Sequence, residues 1–280
     1  MHDPHSRGAG FFNATQMDST LKTLIDRLDT SDIGGTTVIR SACPIPSFGD
    51  LSSCRVATLG INPSNQEFVD RSGKELQGKL RRFHTLKSLG VSSWAEVDAR
   101  HRGKILELCR TYFRPDRNPY WWFKKLDKVV AGAKASYYDS SRPACHLDLV
   151  PYATMSKWSD LRTRQKRLLL AVAGDTLGRL LRDSPVRILI LNGRCVVEQF
   201  QKLAGTTLPS QEMPSWSLRS GSKSPVAFKG EVDSFSGIDF GRKISVLGFT
   251  HNLQGSHGMT TEVAAAIREW IAQASEQTLP

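Results

Sequence analysis

The stretch VATLGINPSNQEF, Val56 to Phe68, decides the fold. Its apolar, β-branched opening reads as a buried strand, and Gly60, Asn62 and Pro63 then stop that strand at a sharp turn. Gly60 admits close backbone approach, and Pro63 stiffens the peptide that follows Asn62. The amide of Asn62 is thereby presented at a fixed point just beyond the strand. A turn Asn also bonds its own loop backbone, and local text leaves both readings open.

Three further runs have the same character: CHLDLV (145–150), VRILILNG (186–193) and KISVLGFT (243–250), alongside RVATLG (55–60). Helical text separates them. MDSTLKTLIDRL repeats Leu21, Leu24, Ile25 and Leu28 at helical spacing and predicts a first helix over 17–29. SSWAEVDARHRGKILELCRTYF opens on Ser93 with Glu96 three residues on, a capping-box pattern. NPYWWFKKLDKVVAGA and LRTRQKRLLLAVAGDTLGRLLRD supply further amphipathic helices, and TTEVAAAIREWIAQA closes the chain, capped by Thr260 or Thr261. Strands separated by helices imply a parallel sheet. The expected fold class is α/β: a three-layer sandwich with a short, mainly parallel four-stranded central sheet flanked by helices. A loop-rich insertion over 205–242, with room for a hairpin, precedes the last core strand. Residues 1–30 read as an arm and helix, and 31–280 as a single domain.

The chain has 38 Lys and Arg against 27 Asp and Glu, a formal net charge of +11, which makes a polyanion a plausible partner. The excess is concentrated: residues 71–134 hold 16 Lys or Arg against 6 Asp or Glu. Within that segment RPDRNPYWWFKK sets Arg114, Arg117, Lys124 and Lys125 around Tyr120, Trp121, Trp122 and Phe123, a mixture that suits phosphate contact and base stacking. Helical spacing equally makes Trp122 and Leu126 core residues. The five cysteines show no CxxC spacing, which argues against a zinc ribbon or a disulfide framework and makes a reducing cytoplasm the default location. No apolar run reaches the length of a membrane span. No HxxxH or paired-carboxylate spacing supports a metal-dependent nuclease.

In sheets of this kind ligands bind beyond the carboxyl ends of the strands. The exits to inspect are therefore Asn62 to Phe68, Asp148 to Thr154, and Thr250 to Met259.

The GINP text resembles the first active-site motif of the uracil-DNA glycosylase superfamily, in the GxNP version carried by its mismatch-specific and single-strand-selective branches. The resemblance implies a DNA glycosylase that extrudes a modified or damaged base and hydrolyses it away, leaving an abasic site, without metal or cofactor. By that resemblance Asn62 positions the attacking water. Gly60, Ile61, Pro63 and Phe68 then belong to the base pocket, with Phe68 as a stacking wall. The family's closing motif is a His or Asn followed by Pro-Ser after the last core strand; here FTHNLQGSHG occupies that place. His251 matches the His that donates to the departing base, although Asn252 and Leu253 replace Pro-Ser. His257 competes for the role, Asn252 is a candidate base-binding amide, and Ser256 and His257 are candidate DNA contacts or an ordinary turn.

CHLDLVPYAT places Asp148 where the family carries a uracil-reading Asn. A carboxylate only accepts hydrogen bonds, and cytosine presents an amino group where uracil presents a carbonyl. Asp148 thus favours a cytosine-type base, modified as in phage DNA, over uracil; or else it caps the following loop or pairs with an Arg, another residue reads the base, and uracil stays open as the substrate. Tyr152 either stacks on the base or closes the core. The expected partner is DNA, single-stranded or carrying modified bases, bound by a monomer; repair and antiviral defence are the roles this implies. The alternative is a nucleic-acid-binding protein of the same fold without catalysis.

Overall fold

The computed structural model describes residues 14–30, 33–218, 224–253, 259–276 and 278. The four runs expected as core strands form β1 (Val56–Gly60), β2 (Ala144–Asp148), β3 (Ile188–Asn192) and the end of β6 (Ile238–Phe249). They are mutually parallel in the order β2-β1-β3-β6. Each short strand is buried throughout, as expected of a parallel sheet covered on both faces.

The sheet has six strands, which corrects the four-stranded expectation. The segment read as a loop-rich insertion contains β4 (Ser210–Glu212) and β5 (Val226–Phe235), and both join antiparallel beyond β6. β5 and the first half of β6 form a hairpin that turns at Ser236 and Gly237, both with positive φ.

The two faces bury separate apolar layers. On one, Leu177, Leu180 and Leu181 of α6 (Thr176–Arg182) and Val196, Val197 and Phe200 of α7 (Arg194–Ala204) meet Ala57, Leu59, Leu147, Leu189 and Leu191. On the other, α1 (Ala14–Thr30), α3 (Ala99–Arg110), α4 (Phe123–Val130), α5 (Thr163–Ala173) and α8 (Thr261–Ser275) gather over Val56, Ala144, Ile188 and Ile190. The residues expected on the inner face of the first helix, Leu21, Leu24, Ile25 and Leu28, are all buried there. The remaining helix, α2 (Leu86–Leu89), is one turn with a Thr85–Ser88 capping box.

Two helix boundaries differ from the text. Ser93 and Glu96 do bond each other (3.0 Å), but they bracket only a single tight turn, because Val97 and Asp98 are extended. The helix starts at Ala99, and Asp98 caps it by accepting from the His101 amide at 2.9 Å. The text from Leu161 to Asp183 breaks into α5 and α6 at Gly174, whose φ is +56°. Arg27 of α1 fastens that break, donating to the Ala173 carbonyl (2.9 Å), Thr176 Oγ1 (3.1 Å) and Asp175 (2.8 Å). Thr260 caps α8 as expected. Among the described residues no helix is long and apolar enough to cross a membrane.

α4 and α8 approach closely because Gly132, just past α4, has no side chain. A Cβ there would stand 2.3 Å from the Arg268 carbonyl oxygen, a backbone atom that cannot turn aside. Gly132→Ala is expected to lower stability by about 1–3 kcal/mol, as overpacking of a tight contact does, read as a lower urea midpoint at unchanged slope.

Candidate functional site

The four parallel strands end on one edge, and the motif residues collect there. Gly60 is the register partner of Asp148. Pairing continues past the strands, with the Leu149 and Val150 amides donating to the Gly60 and Ile61 carbonyls at 3.2 and 2.9 Å. Asn62 and Thr154 therefore leave the sheet side by side. His251 leaves the same edge after β6, two strands from β1, a lateral offset of about 10 Å at ordinary strand spacing.

The orientation of the Asn62 amide follows from its partners. Its Nδ2 lies 3.1 Å from the Pro63 carbonyl oxygen and 3.0 Å from Thr154 Oγ1. The Pro63 oxygen can only accept, and Thr154 commits its own proton to the Ser156 carbonyl at 2.8 Å. Both neighbours require a donor, so the amide nitrogen faces them. Oδ1 points the other way and has no hydrogen-bond partner among the described residues. Asn62 is half-buried, and Pro63 is buried beneath it.

Beside it, one row of polar side chains runs through the apolar interior. Tyr137 OH and Thr58 Oγ1 are 2.6 Å apart, Thr58 Oγ1 and His146 Nδ1 2.7 Å, and His146 Nε2 and Asp148 Oδ1 3.4 Å. Thr58, Gly60, His146 and Asp148 alternate with the α6–α7 layer and so face the α4 side. Phe48, Trp122 and Phe123 surround the His146 ring with centroids 5.5, 5.4 and 5.3 Å away, each edge to face. The Asp148 carboxylate is buried and turned toward His146 and Gly60.

Glu67 is a second buried carboxylate near this row. It accepts from Tyr112 OH at 2.7 Å, and that hydroxyl in turn accepts from the Tyr120 amide at 2.9 Å. Burial pushes its carboxyl up to about 7; the Arg82 charge and the Tyr112 hydrogen bond oppose the shift, and the Asp148 charge adds to it. Arg82 braces the whole loop, donating to the Gln66 and Asn118 carbonyls and lying 5.6 Å from the Tyr120 ring centroid.

The remaining candidates separate. Phe68 is a core residue rather than a stacking wall: it is 2% exposed, with Phe83 6.0 Å away. Tyr152 likewise closes the core, its hydroxyl donating to the Leu24 carbonyl at 3.0 Å. Their burial leaves neither ring a face for a base. His251 Nε2 lies 2.8 Å from the Trp216 carbonyl, which can only accept, so that nitrogen carries hydrogen and is engaged. Asn252 is exposed, beside Gly193. Asn192, at the end of β3, accepts from the Leu253 amide at 3.4 Å and ties the exit of β6 to its neighbour. Arg114, Lys124 and Lys125 are exposed, Arg117 is half-buried, and Trp121 is 50% exposed with Lys125 Nζ 5.1 Å from its ring. Trp122 and Phe123 are in the core. Ser256 and His257 lie outside the described residues. No group of three or more His, Cys, Asp or Glu among the described residues has metal-binding geometry.

Sequence reading missed Thr58, Tyr137, His146 and Glu67. A signal existed for two of them, because Thr58 and His146 each stand two residues before a motif residue, Gly60 or Asp148, inside otherwise apolar strands. No family model matches the chain, and no curated protein matches it.

Two outcomes test this geometry. A Cβ at position 60 would stand 2.4 Å from Asp148 Oδ1 and 2.9 Å from His146 Nε2. Gly60→Ala should therefore displace the carboxylate and cost about 1–3 kcal/mol, seen as a lower melting temperature and a shifted His146 ring resonance. The second concerns Glu67, whose pKa in the folded chain lies above the ordinary glutamate value of 4.5. Below that value its carboxyl is neutral in both states. As pH rises toward 7 the unfolded chain ionises first, so stability falls by about 3 kcal/mol across that window. Glu67→Gln should flatten this loss in urea unfolding series run at about pH 4 and about pH 8.

Proposed function

We propose that the chain is a monofunctional DNA N-glycosylase that receives one extruded base at the carboxyl edge of its parallel strands and hydrolyses the bond to the sugar. The observation that carries the reading is the Asn62 amide, whose Nδ2 is held by two acceptors while Oδ1 has no partner among the described residues. An amide cannot take a proton, so it cannot act as a general base; it can fix the water's position.

The chemistry that suits such a group is strongly dissociative. The C1′–N bond breaks with its electron pair departing on the base, the sugar carries oxocarbenium-like charge, and the held water adds to C1′. The water's proton goes to the departing base or to solvent. Aiming one hydrogen-bonding group at developing charge is worth about 3–4 kcal/mol in the transition state. A base reaching this edge must first leave its stack, at a cost of a few kcal/mol that is smallest in mismatched or single-stranded DNA.

Donation to the leaving base is the part that His251 performs only as an imidazolium. Its Nε2–H is given to the Trp216 carbonyl, so Nδ1 donates only when protonated. That engagement favours the second reading, a nucleic-acid-binding protein without catalysis. Asp148 is buried against His146 and Gly60, so its acceptor-only chemistry favours a cytosine-type base, as in modified phage DNA, only where the base enters beside His146.

The deciding experiment is mass-spectrometric identification of bases released from DNA carrying uracil, hypoxanthine, 5-hydroxymethylcytosine or glucosylated cytosine. Release of a modified cytosine, with alkali-labile sites left behind, is expected. Asn62→Ala should retain binding and lose about 10²–10³ in single-turnover rate. Release of uracil alone would refute the role of Asp148. Binding without release from any substrate would leave the non-catalytic reading.

A further inference from the structure

Arg81, Arg117 and His84 lie together on the flank of the β1 exit loop, and the charge of Lys104 reaches His84 from α3. Arg117 lies across the backbone of the preceding arginines, its Nη2 donating to the Arg81 and Arg82 carbonyls at 3.3 and 3.1 Å. His84, half-buried, has its ionisation dominated by loss of solvent and then by the charges of Arg81, Lys104 and Arg117, which push its pKa down to about 4. Lys104 projects from α3, so within the basic segment 71–134 the fold brings a helix residue and loop residues to bear on one side chain.

None of the three cations is paired with a carboxylate among the described residues. The Arg81 side chain makes no hydrogen bond there at all, and the Nε atoms of Arg81 and Arg117 are shut off from solvent without an acceptor. The Glu75 carboxylate, in the same region, is bonded to Thr85 Oγ1. Ser88 Oγ donates to the Thr85 carbonyl at 3.1 Å, so His84 Nδ1, 3.0 Å away, is the donor to Ser88 and Nε2 is left as the titrating atom. Uncompensated like charges held together by the fold are the reverse of a solvated surface, where long side chains spread apart. Such an arrangement matches an anion with several acceptor oxygens.

We infer that Arg81, Lys104, Arg117 and His84 form a binding site for a backbone phosphate of a polynucleotide strand. Two features favour a strand over a free phosphate. Exposed apolar side chains stand in the same surface segments, Leu80 next to Arg81 and Trp121 four residues past Arg117. Lys125 over the Trp121 ring completes a platform on which a base can stack. The inference rests on the glycosylase reading for the identity of the polymer, although the site needs no catalysis to exist. Arg82 joins it to that reading physically, bonding Gln66 of the β1 exit loop from the position next to Arg81.

The test measures binding of a single-stranded oligonucleotide by fluorescence anisotropy over a salt series, with no readout of base release. Arg81→Gln combined with Lys104→Gln should weaken binding about tenfold or more near 0.1 M salt and reduce the slope of log K against log salt by about 0.7, the contribution of the one phosphate left unneutralised. Arg81→Lys should keep the slope, as should Lys22→Gln on α1. Lys104 is exposed and makes no hydrogen bond among the described residues, so Lys104→Gln alone folds and should weaken binding less than the double variant does. In the full chain, the oligonucleotide should raise the His84 pKa by about one unit or more, followed by its imidazole NMR resonances.

An unchanged salt slope in the double variant overturns the site. A rise at His84 with inorganic phosphate, combined with oligonucleotide binding indifferent to Arg81 and Lys104, overturns the assignment to a strand. Failure of the glycosylase reading is seen separately, as absent base release while this binding signature persists.

Discussion

The seating of the Asp148 carboxylate against the end of β1 is the constraint on which the rest of the candidate site depends, and it exists because position 60 has no side chain. Gly60 faces the Asp148 carboxylate across the register and gives it room beside His146. Behind them, Thr58 and Tyr137 complete a row of hydrogen-bonding groups in an otherwise apolar layer. Buried polar groups are costly when unmet and stiffening when met. The aromatic side chains around His146 keep water from competing for these bonds. The result is a rigid edge from which two loops depart, and the Asn62–Thr154 hydrogen bond joins those loops.

What the text revealed and what it hid follow from the same physics. Parallel strands covered on both faces read as continuous apolar runs, and the core strands were legible for that reason. β5 alternates buried and partly exposed positions around a glycine and several charges, and β4 is exposed throughout, so neither stands out from a loop. The Ser93–Glu96 pair shows how a capping pattern without helical continuation caps only a turn. Gly60, Asn62, Asp148 and His251 could be assigned to one edge because strand order and direction carry them there. Glu67 could not be recognised, since glutamate is seldom buried and its partners Tyr112 and Arg82 are distant in sequence. Phe68 and Tyr152 illustrate the opposite failure: an aromatic beside a strand exit has the same text whether it lines a pocket or fills the core.

Composition likewise cannot separate the cations that hold the fold from those that leave a field. Arg102 is neutralised by a two-pronged contact with Asp18, and Arg110 pairs with Glu107. Arg82 and Arg117 also fasten loops, but their partners are carbonyl oxygens. A carbonyl satisfies the donors of a guanidinium and leaves its charge intact. These arginines therefore secure the loops without diminishing the positive potential of the segment, and Arg81 and Lys104 add to it. Burial is the larger cause of the depressed pKa of His84, about 4, and the charges of Arg81, Lys104 and Arg117 lower it further. A positive field built from carbonyl-bound arginines is fixed in place by the backbone, whereas one built from free lysines relaxes into solvent and salt. The field beside the β1 exit loop is of the first kind at Arg82 and Arg117, so its position relative to Asn62 is set by hydrogen bonds rather than by average composition.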